Sequence, residues 1–345
     1  MSKQFGAKVT TPLEERYQTS EHWIEGKFEN LVETTMEFSI QNIPNLLYEQ
    51  FVKTKGRVPK KRLVIEAFDL QAFMAPSQQP KFIWYGHSVL LMRWMNQTIL
   101  IDPMLGPNAS PIAPFATKRF SENALDMIDQ FPPIDLALMT HDHYDHLDLA
   151  SIEKLKDKTA KWYVALGVGR HLESWGITPS TITEFDWWDS AEFNGIQFTF
   201  TPSRHFSGRG LSDRAKSLWG GWVMKSNDHN LYWSGDGGYG DHFKEIGEKF
   251  GPFDFGFIEC GQYNKHWHQI HMYPEEAVQA ALDATVKIAL PVHWCGFALA
   301  LHHWKDPIDR FSVEALDKNL KISTPKIGQA LTISTKTDQW WNDHE

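Results

Sequence analysis

The sequence predicts an α+β fold in which β-sheets are flanked by helices. From Phe82 onward, short apolar runs rich in β-branched and aromatic residues recur between turn residues, which is typical of strands. From residue 149, segments with the apolar spacing of helices stand between these runs. Several runs also end near a histidine or an aspartate, as expected where functional groups collect beyond the carboxyl ends of strands.

The predicted elements follow in chain order. The runs 82–85, 89–94 and 98–101 have short connections, which indicates an antiparallel meander. Ser121 is the expected N-cap of a helix over 122–130, which precedes the apolar run 134–139. Further helices are expected over 149–155, 168–175, 241–250 and 274–284, and strands over 162–166, 181–185, 196–201, 219–225, 230–234, 253–259 and 287–292. The tail, 305–345, is expected to add one helix and one strand.

Residues 1–80 are predicted to form an irregular extension packed on the core, and residues 81–345 the main domain. Weak periodicity and breakers such as Pro12, Gly26, Pro44 and Pro76 support this division. Within the extension, a short apolar stretch, 43–52, precedes six basic residues: Lys53, Lys55, Arg57, Lys60, Lys61 and Arg62. Two interpretations stay open: a solvated loop after a surface helix, the usual behaviour of a charge run, or peripheral contact with an anionic membrane.

Composition disfavours several classes of function. The 345 residues carry a net charge of −9, with 34 basic and 43 acidic side chains, so no global basic field attracts nucleic acid. Two cysteines, Cys260 and Cys295, are too few for a disulfide framework, and the first residues lack the pattern of a secretory signal, so a cytoplasmic location is expected. No apolar stretch approaches the roughly 20 residues that cross a bilayer, so any membrane contact would be peripheral.

The densest cluster of ligand-type residues lies directly after the run 134–139. Within six positions it contains His141, His143, Asp145 and His146. In extended backbone alternate residues share a face, so the first three can converge, and a turn brings His146 to a neighbouring point. Imidazole and carboxylate together suit zinc, iron or manganese rather than calcium. A polar loop that satisfies its own backbone explains a lone histidine better than three at this spacing, so the segment predicts half of a two-metal site.

Three later runs each lead to one ligand-type residue. His205 follows the run 196–201, Asp236 follows 230–234 in a glycine-rich segment, and His293 follows 287–292. Each alone could be a hydrogen-bonded loop residue, but their shared position at strand ends favours one site. Seven ligands suit two cations about 3.5 Å apart that share one carboxylate and a hydroxide. The glycines around Asp236 are expected to let the backbone approach a metal closely.

Other polar residues near these segments have less certain roles. Asp102 could orient a ligand histidine or cap its own turn, and both interpretations stay open. His87 is expected to be a core or outer-sphere histidine. Cys295 is expected to point away from His293 in extended backbone and to be buried. A loop with Gln262, Tyr263, His266 and His268 could shape a pocket, without assigned chemistry.

The order of the seven residues resembles that of the metallo-β-lactamase superfamily, whose fold is an αββα sandwich of two mixed β-sheets flanked by helices. Between about residues 82 and 304, further motifs resemble those of the N-acyl-phosphatidylethanolamine-hydrolysing phospholipase D family: Trp84-Tyr85-Gly86-His87-Ser88, Leu218-Trp219-Gly220-Gly221-Trp222, Phe250-Gly251-Pro252-Phe253-Asp254, His271-Met272-Tyr273-Pro274-Glu275-Glu276-Ala277 and His293-Trp294-Cys295-Gly296-Phe297-Ala298-Leu299-Ala300.

The resemblance implies a hydrolase domain over 81–345 with two Zn²⁺ ions, one of which iron or manganese could replace. One zinc would be held by His141, His143 and His205, and the other by Asp145, His146 and His293, with Asp236 as the bridge. His271 matches a histidine near the substrate phosphate, so it is expected to aid phosphate binding or proton transfer. The alternative is a surface histidine before a helix. Asp236 is the second expected catalytic residue, as a group that could return a proton to the leaving alkoxide.

The expected reaction is hydrolysis of a phosphodiester or phospholipid-like substrate, with a hydroxide shared by the two ions as the nucleophile. A metal-dependent lactone, thioester or amide hydrolase is an alternative, because the same centre serves a tetrahedral carbon and a fold does not fix a substrate. A non-catalytic metal-binding or lipid-binding module is the alternative from another class.

Overall fold

A computed structural model describes residues 3–36, 48, 54–110, 117–210 and 212–344. Within these ranges the chain forms two seven-stranded β-sheets, a two-stranded hairpin and flanking helices. Both large sheets contain parallel and antiparallel pairs. The α+β prediction and the implied sandwich of two mixed sheets are therefore confirmed.

The first sheet, called sheet one, contains Ile134–Met139, the strand that leads into the ligand segment. It contains β3 (Lys81–Trp84), β4 (Leu90–Trp94), β5 (Gln97–Ile101), β6 (Ile134–Met139), β7 (Thr159–Ala165), β8 (Ile182–Phe185) and β16 (Ala330–Thr332). The strand order is β16-β3-β4-β5-β6-β7-β8. Strands β3, β4 and β5 form the predicted antiparallel meander, and β5 to β8 are parallel. Because β5 and β6 are parallel neighbours, Asp102 and His141 leave the sheet at the same edge.

Sheet two gathers the remaining ligand positions. It contains β9 (Ser190–Phe193), β10 (Ile196–Thr201), β11 (Gly221–Lys225), β12 (Asn230–Trp233), β13 (Phe255–Glu259), β14 (Ile288–Val292) and β15 (Lys321–Ile322), in the order β15-β14-β13-β12-β11-β10-β9. Strands β12 to β15 are parallel, and β10 has the same direction because β11 is antiparallel to both β10 and β12. The segments after β10, β12 and β14, which carry His205, Asp236 and His293, therefore emerge at one edge.

Helices cover the outer faces of the sheets. They are α3 (Met127–Gln130), α4 (Leu149–Leu155), α5 (Gly169–Ser174), α6 (His242–Phe250), α7 (Pro274–Asp283) and α8 (Asp306–Asp317). Helix α4 begins directly after the ligand segment, where the Asp148 side chain accepts a hydrogen bond from the Ser151 N–H at 3.0 Å. In the described part of the chain, no helix combines the length and the apolar character that crossing a lipid bilayer requires.

The described part of residues 1–80 is not irregular throughout. It contains a 3-10 helix, Lys3–Phe5, together with α1 (Thr11–Tyr17), the paired strands β1 (Trp23–Ile24) and β2 (Lys27–Phe28), and α2 (Leu70–Met74). The Trp175 indole donates to the Lys3 carbonyl at 2.8 Å, and the Asn30 amide donates to the His205 carbonyl at 2.8 Å. The segment thus contacts both sheets' loops, while its treatment as a separate extension stays a prediction.

The basic run after residue 52 is not a uniform surface charge. Arg57 is buried, and its guanidinium donates to the Ala300 carbonyl. Lys60, Lys61 and Arg62 are exposed, whereas Lys53 and, apart from Tyr48, the apolar stretch 43–52 lie outside the described residues. Arg57 therefore belongs to the protein interior, and only part of the run can meet a solvent or membrane surface.

Three local predictions were wrong. The helix expected over 122–130 begins as a 3-10 helix, Ala124–Asp126, with Asn123 as its N-terminal flanking residue, while Ser121 forms an isolated bridge with Leu63. Strand β9 was missed because it is a half-exposed edge strand without a clear apolar alternation. The tail contributes two short strands, β15 and β16, to different sheets rather than one.

Aromatic side chains hold the two sheets together. The Phe82 ring of β3 lies 5.1 Å from the Phe255 ring and 5.2 Å from the Phe257 ring, both on β13. At the other end, Phe185 of β8 lies 5.1 Å from Trp222 of β11. All five side chains are buried. Burying such rings between sheets stabilises the sandwich and fixes the relative position of the two edges that carry the site.

Truncating an inter-sheet ring should destabilise the whole domain. We expect Phe82→Ala to lower the free energy of unfolding by about 3–5 kcal/mol, because it leaves a cavity between the sheets. Leu316→Ala is the control, because Leu316 on α8 is 81% exposed, and it should change that free energy by less than about 0.5 kcal/mol. Urea unfolding followed by tryptophan fluorescence measures both. Equal midpoints for the two variants would contradict this packing.

Candidate metal centre

The ligand segment follows β6, which ends at Met139. It turns after His143, with the N–H groups of His146 and Leu147 both donating to the His143 carbonyl, at 3.1 and 2.8 Å, as predicted for the turn that positions His146. The turn places His146 beside Asp236 from β12, whose Oδ2 lies 2.9 Å from His146 Nε2. Two sheets therefore supply ligand-type side chains to one point.

One group of ligand-type atoms consists of three imidazoles. His143 Nδ1 lies 3.0 Å from His141 Nε2 and 3.1 Å from His205 Nε2. His141 and His205 are almost fully buried, and His143 is half-buried. These are the three residues predicted to hold one zinc, and the structure brings them together.

The second group combines carboxylates and imidazoles. His293 Nε2 lies 2.9 Å from Asp236 Oδ2 and 3.2 Å from Asp145 Oδ2. His146 Nε2 lies 3.6 Å from the same Asp145 oxygen. Asp236 Oδ2 is also 3.9 Å from His141 Nε2, so its carboxylate stands between the two groups. The predicted second set and the predicted bridge are therefore adjacent, and their binding of metal stays a prediction.

Outer hydrogen bonds fix which ring nitrogens face the centre. His146 Nδ1 donates to Asp102 Oδ2 at 2.9 Å, and His205 Nδ1 donates to the Ile270 carbonyl at 3.0 Å. The Thr140 hydroxyl donates to Asp102, so His141 Nδ1 must donate to the Thr140 oxygen at 2.9 Å. When neutral, each of these three rings therefore presents an Nε2 lone pair to the centre. Asp102, which is fully buried, therefore orients the His146 ring, one of the two roles that the sequence left open.

This arrangement fits a pair of cations. In the first group, two lone-pair nitrogens face His143 Nδ1, and a single proton there could serve only one of them. In the second group, the Nε2 lone pair of a neutral His146 faces the carboxylate of Asp236, whose Oδ2 lies 2.9 Å away. Like-signed atoms at hydrogen-bond distance need positive charge between them, and a mixed imidazole and carboxylate donor set is one that zinc, iron and manganese accept.

The pKa values of the side chains follow from the same geometry. Burial lowers the pKa of His143 to about 4, and burial together with neighbouring imidazoles holds the pKa values of His141 and His205 well below the usual range. These rings are neutral at pH 7, as metal binding requires. Burial also opposes a charge on His146, but the carboxylates of Asp236, Asp145 and Asp102 outweigh it and raise its pKa to about 10. The second group therefore attracts positive charge strongly.

His87 and Cys295 lie at the back of the centre. His87 Nε2 contacts Asp145 Oδ2 at 2.9 Å, so it is an outer partner of a predicted ligand and close enough to join the second group. Cys295 is buried as expected, but the reason given for its direction was wrong. The backbone after β14 is not extended, since His293 and Cys295 have φ values of 65° and 62°. Such left-handed residues are costly for non-glycine side chains and collect at functional sites.

The glycines around Asp236 allow close backbone packing. Gly235 has a φ of 64°, and a Cβ there would collide with the Gly220 carbonyl oxygen. A Cβ on Gly238 would collide with the Gln269 carbonyl oxygen. These glycines let the segment after β12 pass close to its neighbouring loops, and close approach of this backbone to a metal stays a prediction.

Glu259 is a site residue that the sequence reasoning missed. It ends β13 and is fully buried, and its Oε1 accepts a hydrogen bond from His271 Nδ1 at 2.7 Å. The same oxygen lies 3.5 Å from His293 Nδ1. Nε2 of His271 makes no hydrogen bond to any described residue and is left for the cavity. The strand-exit rule would have found Glu259 had it been applied to the last residue of the predicted strand.

A cavity of about 310 Å³ opens beside both groups. His143, Asp145, Asp236, His271 and His293 form its polar side. Its apolar side consists of Met36, Phe206, Trp267, Ile270 and Leu299. Of the four loop residues that could shape a pocket, Gln262 lines this cavity, whereas Tyr263, His266 and His268 are not among its lining residues. A substrate in this cavity would meet the metal groups on one wall and an apolar surface on the other.

Comparison with known proteins agrees with this geometry. Residues 97–294 match the family model described as a beta-lactamase superfamily domain. An uncharacterized protein of Mycobacterium tuberculosis is 38% identical over 264 residues, covering 75% of this chain and 70% of that protein. N-acyl-phosphatidylethanolamine-hydrolyzing phospholipase D 1 of Caenorhabditis elegans is 32% identical over 240 residues, covering 66% of this chain and 67% of that protein.

Among solved structures, the metallo hydrolase Igni18 of Ignicoccus hospitalis superposes with a TM-score of 0.59 at 20% identity, covering 75% of this chain and 100% of that one. That likeness supports the fold. The chain belongs to the beta-lactamase superfamily, since the matched model spans more than half of it. It is a metal-dependent hydrolase of that superfamily, so the alternative of a non-catalytic module is not retained.

Loss of one predicted ligand should remove metal without unfolding the protein. We expect His143→Ala to weaken zinc binding by at least about 100-fold, because removing even an outer-sphere partner costs 10–100-fold. His268→Ala is the matched control, since His268 lies on the pocket loop but in none of the ligand groups. Metal content by mass spectrometry and circular dichroism distinguish binding from folding. Equal zinc in both variants would contradict the assignment.

Proposed function

We propose that the chain is a dinuclear zinc phosphodiesterase of the N-acyl-phosphatidylethanolamine phospholipase D type. The observation that carries the proposal is a pair of ligand groups, joined by Asp236, that opens onto one cavity together with His271. The relative from Caenorhabditis elegans supports the choice of a phosphodiester by its similarity. Zinc is the proposed metal in both groups, and iron or manganese in one of them is the alternative.

When bound, the two ions would supply an activated water at neutral pH and positive charge for the phosphoryl oxygens. The protein's own residues have three tasks. Asp236 holds the two groups together, and its carboxylate is placed to accept or return a proton. His271 presents Nε2 to the cavity. With its Nδ1–H donated to Glu259, the neutral ring can accept a proton there, and the protonated ring can then donate it to a phosphate oxygen or to the leaving alkoxide. Glu259 fixes the His271 ring by accepting from Nδ1.

The apolar wall of the cavity suits a substrate with hydrocarbon next to the phosphate. Met36, Phe206 and Trp267 face the same space as the ligand groups. Met36 belongs to the first 80 residues, so the proposed extension contributes to the substrate cavity of the hydrolase domain, 81–345. A phospholipid is therefore the proposed substrate class.

A turnover panel tests the reaction. We expect the zinc-loaded protein to hydrolyse a bis-aryl phosphodiester and an N-acylated phosphatidylethanolamine in micelles. His271→Ala should lower kcat by about 100-fold or more with metal content unchanged, as for loss of a general acid or base, and Glu259→Gln by about tenfold, as for an orienting partner. His268→Ala should retain wild-type rates. Hydrolysis of lactones, thioesters or amides alone would defeat the phosphodiester proposal.

A cytoplasmic location with reversible membrane contact completes the proposal. The segment with Val58, 54% exposed, and Lys60 is tied to the cavity rim, because the neighbouring Arg57 donates to the Ala300 carbonyl and Leu299 lines the cavity. Exposed apolar and basic side chains beside a substrate entrance suit an anionic lipid surface.

Charge reversal in this segment tests the contact. Each lysine near an anionic membrane contributes about 1 kcal/mol, so Lys60→Glu with Lys61→Glu should reduce binding by at least about tenfold. Lys318→Glu with Lys321→Glu is the matched control on the exposed end of α8 and on β15. Cosedimentation with phosphatidylserine vesicles measures the difference. Equal sedimentation of both double variants would show that the basic segment is a solvated loop.

A further inference from the structure

A second cavity adjoins the one at the metal centre. Its volume is about 620 Å³, and Met36, Phe206 and Ile270 line both cavities. His205 also lines it, so the cavity begins at a predicted metal ligand. The two cavities therefore share part of their lining next to the two ligand groups.

Arg214 lines this second cavity with an exposed side chain. Its guanidinium carbon is 4.0 Å from the centre of the Phe206 ring, a cation–π stack. The Phe206 ring in turn lies 4.5 Å from the His143 ring and 5.1 Å from the His205 ring. The arginine is thus one aromatic ring away from two predicted ligands.

Arg214 differs from the other arginines in its partners. Each of the others has a carboxylate, carbonyl or hydroxyl partner: Arg16, Arg57, Arg62, Arg93, Arg119, Arg170, Arg204, Arg209 and Arg310. Among the residues that the structure describes, Arg214 has none. Burial lowers its pKa, with no acid to offset this effect. A guanidinium beside a cavity whose N–H groups have no partner among the described residues can donate hydrogen bonds to an anion.

We propose that this second cavity binds an oxyanion of the substrate, a carboxylate or a phosphate, at Arg214. The inference rests on the proposed function, because the oxyanion would belong to the same molecule as the phosphodiester at the metal centre. A guanidinium pairs with the two oxygens of such a group in one plane, and the Phe206 stack fixes that plane.

Among the described residues that line the second cavity, no other positive charge is as well placed as Arg214 to bind an oxyanion. Lys27 lies 3.3 Å from Glu29 in an exposed ion pair, so the two carry little net charge. Glu33 also lines the cavity, but no carboxylate of a described residue lies within ion-pair distance of Arg214. Among phosphodiesters, the inference therefore predicts a preference for those that carry a second acidic group over those charged only at phosphorus, such as an N-acylated phosphatidylethanolamine.

Matched substrates test the inference. We suggest nitrophenyl phosphodiesters whose second alcohol ends in a carboxylate, a phosphate or an uncharged carboxamide. The wild-type protein should hydrolyse a substrate with one of the two acidic arms, that is, a second alcohol ending in a carboxylate or a phosphate, about 10–100-fold more efficiently in kcat/KM than the carboxamide substrate. This is the usual effect of a hydrogen bond to a charged group. Arg214→Gln should reduce this ratio to about one, and Arg214→Lys should leave part of it, because a lysine keeps the charge without the planar fork.

Lys265→Gln is the control for a lost positive charge near the cavity mouth, since Lys265 is exposed on the loop before Ile270. It should keep the wild-type ratio. An unchanged preference in Arg214→Gln, or no preference in wild type, would overturn the inference. The two acidic arms distinguish a carboxylate from a phosphate as the preferred group.

A binding measurement separates this inference from the proposed reaction. Non-hydrolysable phosphonates with the same arms can be titrated calorimetrically into wild type and Arg214→Gln. If wild type hydrolyses none of the diesters but binds an acidic phosphonate at least about tenfold more tightly than Arg214→Gln does, the proposed reaction fails and the anion site stands. If the phosphonates bind both proteins equally, the anion site is wrong whatever the turnover.

Discussion

The structure depends on a cluster of imidazole nitrogens and carboxylate oxygens whose lone pairs need positive charge nearby. Imidazole nitrogens and carboxylate oxygens from both sheets converge at 2.9–3.2 Å, and the Nδ1 atoms of His146 and His205 are already committed as donors to groups outside the centre. Divalent cations bind these atoms together. Because the ions would bind the folded chain and not the unfolded one, they would stabilise the folded state. Buried hydrogen bonds around the centre hold these side chains in place without the ions.

Asp142 illustrates how the ligand segment is held. Its side chain lies between those of two ligands in sequence but takes no part in the centre. It is fully buried and accepts from the Ser217 hydroxyl, the Gly208 N–H and His171. Arg209 donates to the carbonyls of Asp142 and Leu147, at 2.6 and 2.7 Å, and to the carbonyl of Gln4. The first residues, the loop after β10 and the ligand segment therefore form one network.

Much of the site could be predicted from the sequence because it follows from strand direction. His205, Asp236 and His293 end strands that run the same way in one sheet, so a search at strand exits finds them. Glu259 obeys the same rule and was overlooked because it is the last residue of its strand rather than the first of the loop. Arg214 and Asn30 could not be found in this way. Their places depend on contacts with Phe206 and His205 that local patterns do not encode, and the left-handed backbone at His293 depends on tertiary packing.

The pairing of two metal ions at this centre can be observed by anomalous diffraction on both sides of the zinc absorption edge, from crystals of the zinc-loaded protein. We expect two peaks about 3.5 Å apart, one among His141, His143 and His205 and the other among Asp145, His146 and His293, with Asp236 in contact with both. A single peak, or peaks away from these side chains, would show that the two ions do not share this centre.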